Sequence, residues 1–514
     1  MSVEFTPAEA YPELIFGLVG PIGTDLDYTT QVLTDYLRGY SYDSYEIKLS
    51  SAMQEIYSKV KIDERDLFSS YNTKIDYAND LRKRHSANDI MAAVAIGAIK
   101  ERRERIKTSS DSHKSATLGR GRAYIIRQLK TPEEIILLRR TYSRQFIQIS
   151  VYLNQKRRET YLIDRIKIKS NFTKSDDDAK REALALIDRD KKEEYFYGQN
   201  ISDCFPLGDL FLDYGDKTTA NNSVDRFLSA LFGNNEISPT RDEYGMYLAK
   251  SASLASSDLS RQVGAAVIAK TGELISLGSN EVPKAGGGPY WTGDPNDARD
   301  FKVGVDQNQI TKSEVFGDLL NRLFDDGYLS HDLMNLNNSQ AVMNKLFSDG
   351  SGDKYRKSRV MDIIEFGRMI HAEMSAICDA ARVGSSVYDA TMFVTTFPCH
   401  ICAKHIVASG IKRLVYLEPY PKSYTEKLHS DSVQTEDNSD QNKVHFTPFM
   451  GISPFRYRDL FEKGKRKNNS GEAAKWQSEP RRPIIEVLIP QYLDVEKYVI
   501  AVLANVITAA ADDK

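Results

Sequence analysis

The chain has 514 residues, 41% hydrophobic and 27% charged, with 69 basic against 72 acidic side chains and a net charge of −3. That length exceeds what one core serves, so two or three domains are expected, and so even a charge balance gives no global pull toward nucleic acid or an anionic membrane. Four cysteines argue against a disulfide framework and for a reducing, cytoplasmic setting. The N-terminus lacks a basic segment followed by a long apolar one, so no secretory leader is expected.

Residues 14–19 (LIFGLV) read as a short buried strand. It leads into Gly20-Pro21-Ile22-Gly23-Thr24-Asp25 and then a helical pattern. Strand, glycine loop and helix in that order open a P-loop kinase-like fold. The loop is a weakened G-x-x-x-x-G-K-[ST]: Asp25 stands at the second glycine, Leu26 at the lysine and Asp27 at the hydroxyl residue. The groups that meet the β/γ-phosphates and hold Mg²⁺ are missing. Backbone N–H groups could still cradle an anion at the helix start. Gly20, Gly23 and Thr24 are therefore candidate nucleotide-binding positions, opposed by the two carboxylates. Phosphoryl transfer is not expected, and nucleotide sensing and a purely structural role both stay open.

Residues 123–129 and 145–152 read as strands around a helix that Thr131-Pro132-Glu133-Glu134 opens as a capping box with proline at its first position. This alternation predicts a parallel sheet with helices on both faces. Residues 170–195 are charged and helical, a candidate lid. Near residue 240 the chain changes character, which sets domains of 1–237 and 238–514. A small-residue helix (244–256) precedes strands 262–270 and 273–279, joined at Thr271-Gly272 in a hairpin signal. Asn280 follows at once. Residues 284–358 read as a polar, partly helical insertion, and 430–443 and 464–482 as surface loops. The apolar run 498–511 contains Asn505 and is short for a membrane span of about 20 residues. It predicts a C-terminal helix packed on the body or on another subunit.

The chemistry concentrates in His371-Ala372-Glu373 and Pro398-Cys399-His400-Ile401-Cys402. Ile370, Met374, Ile377, Cys378 and Ala381 recur at helical spacing, so the triplet opens a helix whose apolar stripe, Cys378 included, is expected in the core. Cys204 is expected in the core as well. Residues two apart point about 200° apart in mid-helix, so His371 and Glu373 can flank one metal only at an irregular helix start. Residues 390–397 read as a strand and 398–409 as a second helix, with Cys399 and Cys402 in its first turn. The partial positive charge there favours thiolates. One imidazole and two thiolates leave the fourth position of a tetrahedral zinc open, which marks a catalytic rather than a structural site. Glu373 is then free to move protons. His400 and His405 lie off the ligand positions and read as solvent or packing residues.

Residues 244–421 resemble the deoxycytidylate deaminase branch of the cytidine deaminase superfamily. The resemblance rests on Arg261-Gln262-Val263-Gly264-Ala265, Gly278-Ser279-Asn280, Arg368-Met369-Ile370-His371-Ala372-Glu373 and Thr395-Thr396-Phe397-Pro398-Cys399-His400-Ile401-Cys402. The wider layout, with its degenerate glycine loop, TTFPCHICAKHIVASGI and EPYPKS…FTPFMGISPFRY, is similar to bacterial anti-phage dCTP deaminases. The resemblance implies an α/β protein: an N-terminal P-loop kinase-like parallel-sheet domain, then a cytidine-deaminase-like α/β/α domain. It implies deamination of dCTP, or of dCMP, that starves phage DNA synthesis. It implies His371, Cys399 and Cys402 as zinc ligands, Glu373 as proton shuttle, Asn280 on the sugar and the Ala372 backbone at the pyrimidine ring. Arg261, Lys422 and the basic run 463–467 are phosphate candidates. The family usually has glycine where Glu281 stands. A homo-oligomer is implied, and the N-terminal domain could take a regulatory nucleotide, an RNA or a phage-derived signal.

Two rivals share these residues. A deaminase of a flipped base in single-stranded nucleic acid would use the same zinc chemistry, but it would normally show a basic face with stacking aromatics. A vestigial, purely regulatory deaminase fold would not need the complete ligand set and Glu373.

Overall fold

Strand β1 (Leu14–Val19) is buried along its whole length. Leu14, Phe16 and Leu18 enter one apolar core, and Ile15 and Val19 enter another on the opposite face. A strand buried on both faces needs a continuous apolar run and helices on either side. The computed structural model describes residues 11–108, 120–193, 195–336, 338–348, 355, 358–418, 423–435, 440–473, 476, 481–485, 487 and 490–512.

Around β1 stand β2 (Tyr42–Lys48), β3 (Gly121–Arg127), β4 (Phe146–Tyr152) and β5 (Leu210–Asp213). They run parallel in the order β5-β4-β1-β3-β2. Parallel neighbours need crossovers, and the capping signals place them. Asp25 caps the Leu26–Gly39 helix, accepting from Tyr28 N. Thr131 and Glu134 close the expected capping box on the Pro132–Tyr142 helix. The charged segment forms the Asp176–Lys191 helix, whose Ala179, Ala183, Leu186 and Ile187 pack with Leu162 and Ile166. Cys204 is in the core as expected.

The chain packs as two units, one of residues 1–247, 417–419 and 448–514, the other of 248–416 and 420–447. The expected boundary at 237, with a second domain running to 514, differs from this division: residues 448–514 pack with the first unit. A short strand, Gly451–Ile452, pairs antiparallel with β5, and Ile452 N donates to Glu243 at 2.9 Å. Glu496, buried in the Tyr492–Asp512 helix, accepts from Arg103 Nη1 at 2.7 Å and from Tyr142 Oη at 2.8 Å. Leu493, Val499, Ile500 and Leu503 of that helix pack on the first unit's core, as expected of a C-terminal packing helix. No helix among the described residues is long and apolar enough to cross a membrane.

The second unit is built on another sheet. β6 (Gly264–Ile268) and β7 (Leu274–Ser279) form the expected antiparallel hairpin, with Gly272 at φ 113° in the turn. β8 (Thr391–Thr396) pairs antiparallel with β6. With β9 (Arg413–Glu418), β10 (Val433–Gln434) and β11 (Val444–Pro448), the order is β10-β11-β9-β8-β6-β7. Val433 is buried and its strand pairs parallel with β11, so the stretch 430–443, expected as a surface loop, adds a short strand to the sheet. Between β7 and β8 the insertion holds the helices Gln307–Asp325 and Ser339–Ser348.

Two glycines set how closely helices approach this sheet. Gly264 lies opposite Ser279 and Ala265 opposite Gly278, so the two glycines face opposite sides. A Cβ on Gly264 would stand 2.0 Å from Ala249 O, and one on Gly278 2.2 Å from Ala372 O and 2.5 Å from Ala376 N. The Arg241–Ser253 and Ala372–Arg382 helices therefore press on opposite faces. This corrects one expectation. The second helix buries Ala372, Ala376 and Ala380, its small face, while Met374 and Ile377 are half-buried and Cys378 is exposed. Close approach selects small residues at i, i+4 and i+8, and the larger apolar stripe turns aside.

We expect Gly278→Ala to destabilise the second unit by about 2 kcal/mol through overpacking. Gly367→Ala, whose Cβ would meet nothing nearer than 3.7 Å, serves as control. Thermal unfolding of both variants checks this, and equal midpoints would contradict the close contact.

Candidate metal centre

His371 is the N-cap of the Ala372–Arg382 helix, with φ −68° and ψ 152°. Its extended backbone is the irregular start that the spacing demanded. Cys399 is likewise the N-cap of the His400–Ala408 helix, and its Sγ accepts from Cys402 N at 3.5 Å. Strand β8 delivers the chain to that cap, and Cys402, Ala403 and Ile406 anchor the helix in the core that holds Ala372 and Ala376.

The two caps bring three donors together. His371 Nδ1 lies 3.3 Å from Cys399 Sγ and 3.3 Å from Cys402 Sγ. All three donor atoms fall within 4.8 Å of one another, and they form the one such group among the described residues. Zn–S of about 2.3 Å and Zn–N of about 2.05 Å at a tetrahedral angle put nitrogen and sulfur about 3.6 Å apart. The donors therefore fit a zinc ion, with one position left for a fourth ligand. His400 and His405 are outside the donor group, as expected.

The donors perturb one another strongly. The hydrogen bond with Cys399 pushes the His371 imidazole up to about 9, against its burial. Hydrogen bonds from Cys402 and His371 pull the Cys399 thiol down to about 4, while its bond to Cys399 and burial push the Cys402 thiol well up. Glu373, almost fully buried, is raised above the ordinary carboxylate range by loss of water, with His371 opposing. A carboxyl poised above its solution value suits a group that must both take and give a proton.

The remaining expected site residues are placed as follows. Ala372 is fully buried at the first helical position. Asn280 is buried; its Oδ1 accepts from Val263 N at 2.6 Å and its Nδ2 donates to Arg261 O at 2.9 Å. It thus braces the chain entering β6. Arg261 is exposed, and Lys422 lies outside the described residues. In the basic run, Lys463 Nζ donates to Asn234 O at 3.4 Å within the first unit. Gly20, Gly23 and Thr24 also lie in the first unit. There Thr24 Oγ1 donates to Pro21 O at 2.6 Å, and Gly20 O accepts from Gln128 Nε2 at 2.6 Å.

Sequence reasoning missed the work of Glu281. Its buried carboxylate accepts from Ser257 N and from Val282 N, each at 2.8 Å. Its backbone bridges Ile370, with Ile370 N donating to Glu281 O at 3.0 Å, immediately before His371. The departure from glycine noted in the sequence was the one signal of it.

Residues 239–418 match the family model described as the cytidine and deoxycytidylate deaminase zinc-binding region. The deoxycytidylate deaminases of enterobacteria phages T2 and T4 are each 61% identical over 54 residues, 10% of this chain and 29% and 28% of theirs. ComE operon protein 2 of Bacillus subtilis (strain 168) is 43% identical over 78 residues, 15% of this chain and 41% of its own. The chain thus spans under a third of the length of the two phage relatives. Among solved structures, the dCMP deaminase of cyanophage S-TIM5 in complex with dCMP and dUMP aligns at 17% identity over 41% of this chain and 99% of its own, with a TM-score of 0.22.

The family match and the donor geometry agree on a zinc-binding region of the deaminase kind.

Zinc binding requires His371 and both cysteines deprotonated. At pH 7 the metal-free protein should hold protons on His371 and Cys402 and none on Cys399. Binding should then release about two protons, so affinity should rise about 100-fold per pH unit near neutrality and only about tenfold per unit once pH passes the His371 value of about 9, where Cys402 alone still holds its proton. Competition with a chelator across pH 6–9 measures this, and a pH-independent affinity would contradict it.

Proposed function

We propose that this chain is a hydrolytic deaminase of free deoxycytidine nucleotides, with dCTP its preferred substrate over dCMP, and that it depletes dCTP during phage infection. The observation that carries the chemistry is Glu373, buried on the first helical turn after His371, with Cys399 and Cys402 facing the same imidazole. A deoxycytidine nucleotide as substrate is supported by the stretches shared with phage deoxycytidylate deaminases; the preference for the triphosphate rests on the resemblance of the whole layout to bacterial anti-phage dCTP deaminases.

His371, Cys399 and Cys402 would hold the zinc, which would supply Lewis acidity and a water of lowered pKa, about 7. Glu373 accepts a proton from the attacking water and delivers it to the ring nitrogen next to the reacting carbon. It carries the second proton to the exocyclic amine, which leaves as ammonia while the water oxygen becomes the uracil carbonyl. The backbone of Ala372, buried at the helix start, would meet the pyrimidine edge. Asn280 holds residues 261–263 through its amide and offers its remaining hydrogen-bonding capacity to the sugar.

The first unit completes the proposal as a P-loop kinase-like domain that has lost catalysis. Its parallel order about a central β1 and the loop after that strand support the reading. Leu26 and Asp27 remove the groups phosphoryl transfer needs. Its role is then regulatory, through a ligand or a subunit contact, in a homo-oligomeric cytoplasmic enzyme.

Initial rates of ammonia release from dCTP, dCMP and a cytosine-containing single strand test the substrate. We expect dCTP fastest and the strand slowest; a faster strand would move the protein to the nucleic-acid deaminases. Glu373→Gln should keep zinc and lose about 10³-fold in turnover. Near-normal turnover in that variant would defeat the mechanism.

A further inference from the structure

The first unit holds a cavity of about 430 Å³ at the carboxyl ends of its central strands. Residues after β1, β2 and β3 line it: Ile22, Leu49 and Gln128 among them. In open α/β sheets ligands bind at that edge, where the strand order reverses direction. Here β1 lies between β3 and β4, the reversal point.

The glycine loop itself is already engaged. Ile22 N donates to Asp190 Oδ2 at 2.6 Å, and the other oxygen of that buried carboxylate takes Lys130 Nζ at 2.6 Å. Arg158 packs on Gly23, where a Cβ would come within 2.9 Å of its own. A phosphate in the loop would meet the Asp190 carboxylate where it needs an N–H.

The rest of the cavity points elsewhere. Gln199 is 3% exposed and Arg82 is 2% exposed, and both line the cavity. Gln199 Nε2 and Arg82 Nε are buried donors with no acceptor among the described residues. Leaving such donors unmet costs stability, and a ligand with acceptor atoms would satisfy them. Six cationic and four carboxylate side chains line the cavity, an excess of two positive charges. Lys48 and Arg165 are its exposed cations. Leu49, Met53, Leu67 and Ile75 supply an apolar wall.

We propose that this cavity binds a nucleoside monophosphate, with ring acceptors on Gln199 and Arg82, the ring against the apolar wall and the phosphate toward Lys48, Lys74 and Arg165, outside the glycine loop. A phosphomonoester carries about −1.5 to −2 at neutral pH, which matches the excess charge, and about 300–1,000 Å³ is the size range of small-molecule sites. The site gives the regulatory reading of the first unit a ligand class, and it does not depend on the zinc chemistry.

Isothermal titration of the zinc-loaded full chain tests it, with thymidine, deoxyadenosine and deoxyguanosine monophosphates, the matching nucleosides and inorganic phosphate. We expect at least one monophosphate to bind about one per chain, and its nucleoside and phosphate alone at least about tenfold more weakly. Gln199→Leu should weaken that binding about tenfold, and Lys74→Met should do so independently should the first variant not fold. Ammonia release from dCTP, measured on the same samples without the monophosphate, should be unchanged by either variant. Absence of monophosphate binding, equal affinity for phosphate alone, or binding indifferent to both substitutions would overturn the proposal. No ammonia release by the unsubstituted chain, with monophosphate binding intact, would count against the deaminase reading instead.

Discussion

The contact on which the site depends is the approach of the Ala372–Arg382 helix to β7 at Gly278. No side chain separates the strand from the Ala372 carbonyl and the Ala376 amide. An α-helix advances about 1.5 Å per residue, so a slide of one residue would carry Glu373 out of register with the cysteines. The backbone contact removes that freedom. It also fixes where the helix begins, and therefore which residue is extended at the cap and which carboxylate follows it into the core. The donor triad and the burial of Glu373 both follow from how closely these two elements meet.

Charge explains why the arrangement needs a metal. A divalent ion, two thiolates and a neutral imidazole sum to zero, so the loaded centre adds no net charge to the core. The donors alone reach that sum only by keeping protons, as an imidazolium and a thiol beside one thiolate. Glu373 sits next to this cluster with little water. A buried carboxylate is expensive unless something nearby compensates, and the cluster is the compensation within reach. Around it, polar braces hold the approach segments. Asn280 secures the chain entering β6, Thr395 Oγ1 accepts from Gly264 N at 3.1 Å, and Glu281 ties Ser257 to the residues before His371.

Much of this was legible in the sequence, because the signals were local. Hydrophobic runs with turn residues at their ends marked β1, β4, β6 and β7. The capping box marked the Pro132–Tyr142 helix, and the two donor motifs marked the metal centre. What was not legible depended on residues far apart in the chain. The helical spacing of Ile370, Met374, Ile377 and Cys378 marks an apolar stripe but does not say which face meets the sheet. Gly278, on a strand that the long insertion separates from the helix, decides that. The tail's place with the first unit rests on Glu496 meeting Arg103 and on a two-residue strand, neither of which has a sequence signature. Glu281 showed only as a departure from a pattern, and its partners became visible once the backbone was folded.

The central claim is a zinc ion held by one imidazole and two thiolates with one position open to water. X-ray absorption at the zinc edge of the purified full chain tests it directly. The account predicts one zinc per chain with about two sulfur neighbours near 2.3 Å and about two nitrogen or oxygen neighbours near 2.0 Å. Four sulfur neighbours, or a shell without sulfur, would contradict it.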